Sequence, residues 1–207
     1  MNFLEALKTI REYAKSSKFD QTVELHLNLG IDPTKQEQAV KATLTLPNGT
    51  GKEKKVLLIT ADSAKTIADL TGGEEIVEKI IKGTLKPKVD FDAIVTTPEM
   101  MPKLARAAKI LGPQGLMPSP KNGSVTATPE KAIAEIKKGQ INLKTEKDAP
   151  VIHTLIGKLS FSDEKLEANF KAVIDALTAA KPAKVKGKFI KEIFLKATQT
   201  KAAIVEI

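Results

Sequence analysis

The spacing of apolar residues changes twice along this chain, and these changes limit the folds that it can adopt. Apolar and polar residues alternate over residues 19–29 and 40–46, and they alternate again from residue 150. Such alternation predicts strands with one buried and one solvated face. Residues 56–59 and 93–95, in between, are continuously apolar, which is typical of strands that are buried on both faces.

The two patterns predict two domains of different fold class. Residues 1–53 and 150–207 form a discontinuous α+β domain, with an amphipathic helix from Asp163 to Ala180 and closing strands at 188–196 and 202–207. Residues 54–149 form an inserted α/β domain whose mostly parallel sheet is covered by helices on both faces. Its remaining elements are helices at 62–70 and 73–82, helices from Thr97 and Thr128, and short strands at 124–126 and 141–143. The two connections between the domains would form a hinge.

Residues 110–126 combine glycines and prolines at a density that excludes a helix or an interior strand. Leu111, Leu116 and Met117 interrupt the segment, so it is not a solvated linker. These residues predict a rigid, ordered loop with apolar anchors. Such a loop would present its backbone and Lys121 to a partner.

The charge of the chain favours an anionic partner. Lysine and arginine number 33 against 25 acids, a net charge of +8, and all the cations but Arg11 and Arg106 are lysines. Residues 181–201 hold seven lysines and one acid, Glu192, so this segment carries most of the surplus. We interpret it as a phosphate-tracking surface, although an ordinary solvated edge strand has the same composition. Aromatic residues are scarce, which argues against recognition by bases stacked on a sheet.

Several functional classes have little support. The chain has no cysteine, and its only histidines are His26 and His153, so neither a thiolate nor a histidine metal centre is expected. Gly49-Thr50-Gly51-Lys52 lacks the first glycine and the final hydroxyl residue of a phosphate-binding loop. No apolar run is long enough to span a membrane, and no signal-peptide pattern begins the chain. We predict no enzyme activity, no cofactor and no metal, and a cytoplasmic location, with an organelle as the alternative.

Three residues near the predicted strands have two readings each. Phe19 precedes the first strand, and pattern alone favours a place in the core over a base-stacking role. Gly157 lies within the strand after residue 150, where glycine marks either a bulge or the close approach of another backbone. His153 reads more simply as a hydrogen-bonded histidine than as a catalyst.

The chain closely resembles the family of ribosomal protein L-one, the first-numbered protein of the large subunit. The resemblance covers nearly the whole chain. The segments that carry it are, in order, Lys18-Phe19-Asp20, Val23-Glu24-Leu25-His26, residues 29–33, 46–52, 72–74, 97–101 and 110–126, Ile152-His153, Ile156-Gly157-Lys158, Lys181-Pro182 and Lys186-Gly187.

The resemblance implies a discontinuous domain that binds 23S-type rRNA and an inserted Rossmann-like three-layer α/β domain. It implies the mobile stalk of the large ribosomal subunit beside the E site, where the family assists release of deacylated tRNA, and repression of the protein's own mRNA. A protein that is a monomer when free is expected. The alternatives are a free RNA-binding regulator without a ribosomal role and, less favoured, a nucleotide-dependent enzyme.

The resemblance and the neighbouring cations together give the candidate RNA-binding residues. They are Lys18, Phe19, Thr22, Glu24, His153, Gly157, Lys158, Lys186, Lys188, Lys191 and Thr198. The signature loop comprises Gly112, Pro113, Gly115, Leu116, Met117, Pro118 and Lys121. The resemblance reverses the interpretation of Phe19 from core to RNA surface.

One departure from the family bears on RNA binding. Where the family usually has Thr-Met-Gly, this chain has Thr198-Gln199-Thr200. The β-carbon of Thr200 would obstruct an approach that glycine permits. We therefore expect weaker and more salt-sensitive RNA binding than a typical member shows.

Overall fold

The computed structural model describes residues 1–15, 17–60, 68–185 and 187–206. Most of the helix predicted at 62–70 lies outside these residues, as does Lys186. The chain has a mixed α/β fold. Its helices and strands are α1 (Phe3–Ala14), β1 (Thr22–Leu29), β2 (Lys41–Thr45), β3 (Val56–Ile59), β4 (Leu70–Gly72), α2 (Glu74–Ile81), β5 (Ala93–Thr96), α3 (Met101–Leu104), α4 (Ala108–Leu111), α5 (Pro129–Lys137), β6 (Gln140–Lys144), β7 (Val151–Lys158), α6 (Asp163–Ala179), β8 (Ile190–Ala197) and β9 (Ala203–Val205).

The described residues divide into two compact units. The first unit comprises residues 1–52 and 139–207, and the second comprises residues 53–138. The second crossing of the chain therefore lies at 138/139 rather than at the predicted 149/150. The reason is β6, which pairs antiparallel with β2 of the first unit, Leu143 opposite Ala42. The sequence prediction that residues 141–143 belong to the parallel sheet of the insertion was wrong, since a short apolar strand carries no signal of its partner.

The first unit is built on a four-stranded antiparallel sheet with the order β7-β1-β8-β9. The alternation along β1 sorts its side chains, because Val23, Leu25, Leu27 and Leu29 are fully buried while the residues between them are partly exposed. The buried face packs on α1 and α6, whose Phe3 and Phe170 rings stack at 4.6 Å between centroids. The other face of β1 carries its polar side chains.

Two local features stabilise the helices of the first unit. The Glu5 carboxylate accepts a hydrogen bond from the Asn2 backbone N–H at 3.1 Å, and the two residues form a capping box at the start of α1. Asn169, in the middle of α6, is fully buried, and its side chain bonds to Asn48 N–H, Gly49 C=O and Ile156 C=O. This asparagine fixes the turn at residues 47–52 against α6 and β7.

The second unit contains a parallel sheet with the order β4-β3-β5. Both faces of β3 are buried: Leu57 and Ile59 belong to a cluster with α2 and residues 100–111, and Val56 and Leu58 belong to a cluster with α5. Two helical layers thus cover the sheet, which explains why its strands are continuously apolar. The predicted strand at 124–126 is reduced to one parallel bridge between Thr96 and Val125.

The helix predicted from Thr97 is a succession of short segments. Turns of 3₁₀ helix at residues 98–100 and 105–107 alternate with α3 and α4 up to Leu111. Pro102 occupies the first turn of α3. Its ring supplies no N–H to an α-helical ladder, so a break here is consistent with its chemistry. Helix α2 ends as predicted, with Gly83 at φ +73°.

Candidate nucleic-acid interface

One end of the four-stranded sheet gathers most of the predicted RNA-binding residues. Lys158, the last residue of β7, lies opposite Thr22, the first residue of β1. Its Nζ donates to Thr22 Oγ1 at 2.9 Å and to the Asp20 carbonyl at 3.3 Å. These bonds hold the ammonium group at the strand end, where it is a preorganised point charge for a phosphate oxygen.

The segment before β1 is tied to the segment after β7. The Asp20 carboxylate accepts from Ser160 N–H at 3.1 Å and from Ser160 Oγ at 2.8 Å. These two bonds fix the position of the segment before β1 that contains Lys18 and Phe19. Sequence reasoning did not select Asp20 or Ser160 as site residues, because the signal is a contact between distant segments.

The turn at Thr198 closes the same end of the sheet. Thr198 N–H donates to the Thr22 carbonyl at 3.1 Å, and Thr22 N–H donates to Thr198 Oγ1 at 3.1 Å. Gln199 N–H donates to Gln21 Oε1 at 2.9 Å. This reciprocal set joins the end of β8 to the start of β1 and leaves Thr198 exposed at the surface.

Thr200 fits this turn without strain. Its hydroxyl accepts from Ala197 N–H at 2.9 Å and donates to Ala197 C=O at 3.2 Å, and the residue is 7% exposed. Among the described residues other than glycine, only Lys88 has a positive φ, so position 200 does not require glycine for its backbone. The expectation of weaker, salt-sensitive RNA binding stays a prediction.

Gly157 lies at a β-bulge. The pairing of β1 with β7 shifts between Val23 and Glu24, which face Gly157 and Leu155, so Ile156 is the extra residue. Gly157 has φ +149°, and a β-carbon there would lie 2.9 Å from the Phe161 ring and 3.0 Å from Leu166. The bulge reading of this glycine is therefore confirmed, and the bulge directs Lys158 toward Thr22.

An imidazole pair lies further along the same face. His26 and His153 are opposite each other on β1 and β7, and their Nδ1 atoms form a hydrogen bond. Glu24 Oε2 lies 3.7 Å from His26 Nε2, and Glu146 Oε1 lies 3.6 Å from His153 Nε2. Burial, followed by His153, lowers the pKa of His26 below its ordinary value, with Lys196 acting in the same direction and Glu24 opposing it. Glu24, His26 and His153 line a shallow concavity of about 340 Å³ with Thr22, Thr154 and Leu155.

Phe19 and Lys18 lie in solvent-accessible positions beside this end. The Phe19 ring is 50% exposed, so the core interpretation based on pattern alone was wrong. Ser17 Oγ donates to the Phe19 carbonyl at 3.2 Å. An exposed phenyl ring on a structured turn can stack on a base or a ribose.

The structure does not bring all the predicted residues to one place. Lys188 and Lys191 lie at the opposite end of the sheet, where Leu29 is paired with Ile190 and Gly30 N–H donates to Phe189 C=O. The lysine segment thus follows β8 along the sheet rather than clustering at the Thr22 end. Lys188, Lys191, Glu192 and Ile204 line a smaller concavity of about 150 Å³.

The signature loop belongs to the second unit and is ordered by its own residues. Leu116 and Met117 pack against the apolar cluster of that unit, as the predicted anchors should. Gly115 has φ +71°. Leu116 N–H donates to Leu111 C=O at 3.1 Å, and Ser119 N–H donates to Ser124 Oγ at 2.9 Å. The Lys121 side chain lies outside what the structure describes; Gly112, Pro113 and Pro118 lie in the same loop.

The described residues contain neither a metal-ligand cluster nor a membrane-spanning helix. No group of three or more potential ligands from histidine, cysteine, aspartate and glutamate occurs among the described residues. No helix in the described ranges has the length and apolarity that a membrane crossing demands.

The fold and this site define a mixed α/β protein whose open sheet end carries lysine, hydroxyl and imidazole groups. The model of the ribosomal protein L1p/L10e family matches residues 10–201. The chain belongs to this family. It is a structural protein of the large ribosomal subunit, associated with the ribosome, and the prediction that it is not an enzyme is confirmed by the family.

Curated relatives match over most of their length. Large ribosomal subunit protein uL1 of Mycoplasma capricolum is 49% identical over 189 residues, which are 88% of this chain and 81% of the relative. The protein of the same name from Mesoplasma florum is 46% identical over 98% of this chain and 89% of its own. That of Rhodococcus erythropolis is 44% identical over 94% of this chain and 81% of its own.

Proposed function

We propose that the first unit binds 23S-type rRNA through the end of its sheet that holds Thr22, Lys158 and Thr198. The observation that supports this most is the Lys158 ammonium, which two hydrogen bonds hold at the strand end. Membership in a family of large-subunit ribosomal proteins makes rRNA the polyanion that this ammonium group would contact. The second unit is then an inserted Rossmann-like domain, and the complex forms the mobile stalk of the large subunit.

The chemistry at this end suits a folded RNA surface. Lys158 would contact a phosphate oxygen, and the exposed Phe19 ring would stack on a base or a ribose. Glu24, an acid on the same face, would accept hydrogen bonds from a ribose 2′-hydroxyl or a base amino group. Lysines outnumber arginines in this chain, which favours recognition of backbone and shape over base edges.

Binding to a stalk rRNA fragment and to a scrambled RNA of equal length, each measured across a salt series, tests the proposal. We expect tight binding to the fragment and weak binding to the scrambled RNA, with the fragment affinity falling as salt rises. Equal and weak binding to both RNAs would show that the basic surface is only an electrostatic footprint.

Two further activities follow if the rRNA site is correct. At the E site the stalk would assist the release of deacylated tRNA. The signature loop of the second unit, with its ordered backbone, would be a contact for a ribosomal partner.

A segment of the protein's own mRNA that mimics the rRNA site would compete for the same sheet end and repress translation. Competition between the rRNA fragment and the leader of that mRNA for one binding site would be the test of repression. In this account the free protein is a cytoplasmic monomer that needs no cofactor.

A further inference from the structure

The open face of the four-stranded sheet carries a row of flat and apolar side chains, of which His153 alone is among the candidate RNA-binding residues. His153 on β7 faces His26 on β1, His26 faces Phe194 on β8, and Phe194 faces Ile204 on β9. Directly opposed residues of antiparallel strands project to the same face. These four residues, here called the cross-strand row, therefore span the full width of the sheet.

The cross-strand row is accessible. His153 and Ile204 are exposed, and His26 and Phe194 are partly exposed. The imidazole rings meet edge to face at 4.7 Å between centroids, so their mutual orientation is fixed. The sequence prediction that too few rings exist for stacking on a sheet counted the phenylalanines along the chain. It could not foresee that two histidines and one phenylalanine would fall in register.

Cations lie on both sides of the cross-strand row. Lys158 and Lys196 are on the side of Thr22, and Lys196 is the direct partner of Glu24. Lys188 and Lys191 are on the other side and share the smaller concavity with Ile204. The larger concavity reaches from Thr22 to His26 and His153. A strand rises about 3.3 Å per residue, so His26 lies about 13 Å from Thr22 along β1.

We propose that the cross-strand row binds the bases of an unpaired RNA segment that runs from the Thr22 end toward Lys188 and Lys191. The backbone phosphates would contact the lysines on either side, and one or two bases would stack on His26, His153 and Phe194, with Ile204 as the apolar boundary. Glu24, Glu146 and Glu192, the acids next to the row, repel phosphate and accept hydrogen bonds from base amino groups. The position of the row beside the Thr22 end rests on the proposed function, whereas the binding of a single strand can be tested without it.

The first test uses a short oligoadenylate and the full-length protein, observed by NMR. The chain has two histidines, and both are in the cross-strand row, so their imidazole C–H signals report on the row alone and one His26→Gln variant assigns them. We expect the oligoadenylate to shift both signals through the ring currents of stacked bases. Unchanged histidine signals at a saturating concentration of oligoadenylate would overturn the proposal.

The second test separates stacking from general charge. Phe194→Leu keeps an apolar side chain but removes the ring, and it should weaken oligoadenylate binding at least about fivefold, because stacking contributes about 1 kcal/mol or more per base. Tyr13→Leu is the matched control, since that ring is 53% exposed on α1, which packs against the opposite face of the sheet. Equal affinities of the two variants for oligoadenylate would contradict the proposal. Sedimentation gives a second contradicting outcome: if the unsubstituted protein is a dimer and only Phe194→Leu makes it a monomer, the row is a protein interface.

Measurement of the stalk rRNA fragment with the same variants distinguishes the two proposals. If the fragment binds selectively but the oligoadenylate does not bind, the cross-strand row fails and the rRNA function stands. If the oligoadenylate binds at the row but the fragment is not distinguished from scrambled RNA, the row stands and the rRNA function fails.

Discussion

At the scale of single residues, the sheet end depends on a few side chains whose positions are fixed by distant parts of the chain. Lys158 is held by Thr22 and Asp20, and Asp20 is held in turn by Ser160. A lysine whose ammonium group is already positioned loses less conformational entropy on binding a phosphate than a free surface lysine does. Under the proposed function, this preorganisation distinguishes Lys158 from the other surface lysines.

Replacing Lys158 by glutamine should therefore weaken binding of the stalk rRNA fragment and reduce the slope of log affinity against log salt by about one. The measurement is fluorescence anisotropy across a salt series. Lys8→Gln, an exposed lysine on α1, is the control and should leave both values nearly unchanged. Equal effects of the two substitutions would mean that total charge, rather than the Thr22 end, governs binding.

The His26 imidazole should titrate below its ordinary pKa of 6.5, because burial and then His153 lower its pKa and outweigh Glu24. The folded state then binds fewer protons than the unfolded state between the two pKa values. The stability that the neutral His26 imidazole contributes is full above the pKa of the unfolded state, and it is lost as pH falls through the pKa of the folded state. NMR titration of the imidazole signals checks the direction, and a His26 midpoint above 6.5 would contradict it.

At the scale of elements, turns and bulges hold the strands of the first unit in place. Asn169 connects α6 with the turn at residues 47–52 and with β7 through three side-chain hydrogen bonds. Gly139 is the residue at which the chain returns to the first unit. It has φ +102°, and a β-carbon there would lie 2.6 Å from the Gly49 Cα. Both residues lie beside the two crossings between the units.

Replacing Asn169 by alanine should lower the free energy of unfolding by about 2–3 kcal/mol, because buried backbone groups lose their partners. Urea denaturation measures the loss. Asn142→Ala, on the exposed side of β6 where the amide oxygen accepts from Thr43, should cost under about 1 kcal/mol. Similar losses for the two variants would remove the special role of Asn169.

Substitutions at two glycines with positive φ distinguish backbone strain from steric crowding of the added β-carbon. Gly187→Ala, at φ +86° with no atom within 4 Å of the added β-carbon, should cost about 1–2 kcal/mol from backbone strain alone. Gly139→Ala should cost more, since the turn at Gly49 must also move. Thermal unfolding of the two variants gives the comparison, and equal losses would show that the turn yields without cost.

Much of the fold could be predicted from local pattern, and the exceptions have a common cause. The alternation in β1 and the apolar periodicity of α6 predicted the bounds of both elements closely. Each element buries one of its faces, so its own sequence carries the pattern. The partner of β6 could not be predicted, since the choice between two sheets is made by tertiary packing. Similarly, Thr22, Glu24 and Lys158 were selected through resemblance, whereas Asp20, Ser160 and the cross-strand row depend on register between strands far apart in sequence.

At the scale of the whole molecule, the net charge of +8 is distributed unevenly. Residues 181–201 hold seven lysines and one acid, and Lys188, Lys191 and Lys196 among them lie on or just before β8. An uneven charge of this kind steers a polyanion toward one surface. The family membership and the sheet end together support the proposal that the first unit holds the rRNA at the Thr22 end.

Hydrogen–deuterium exchange of the protein alone and bound to the stalk rRNA fragment tests this claim most directly, because it locates the RNA on the chain. Binding at the Thr22 end should give new protection at residues 18–24, 157–160 and 197–200, with α1 and the exposed side of α5 unchanged. Protection confined to the signature loop, or none in the first unit, would contradict it.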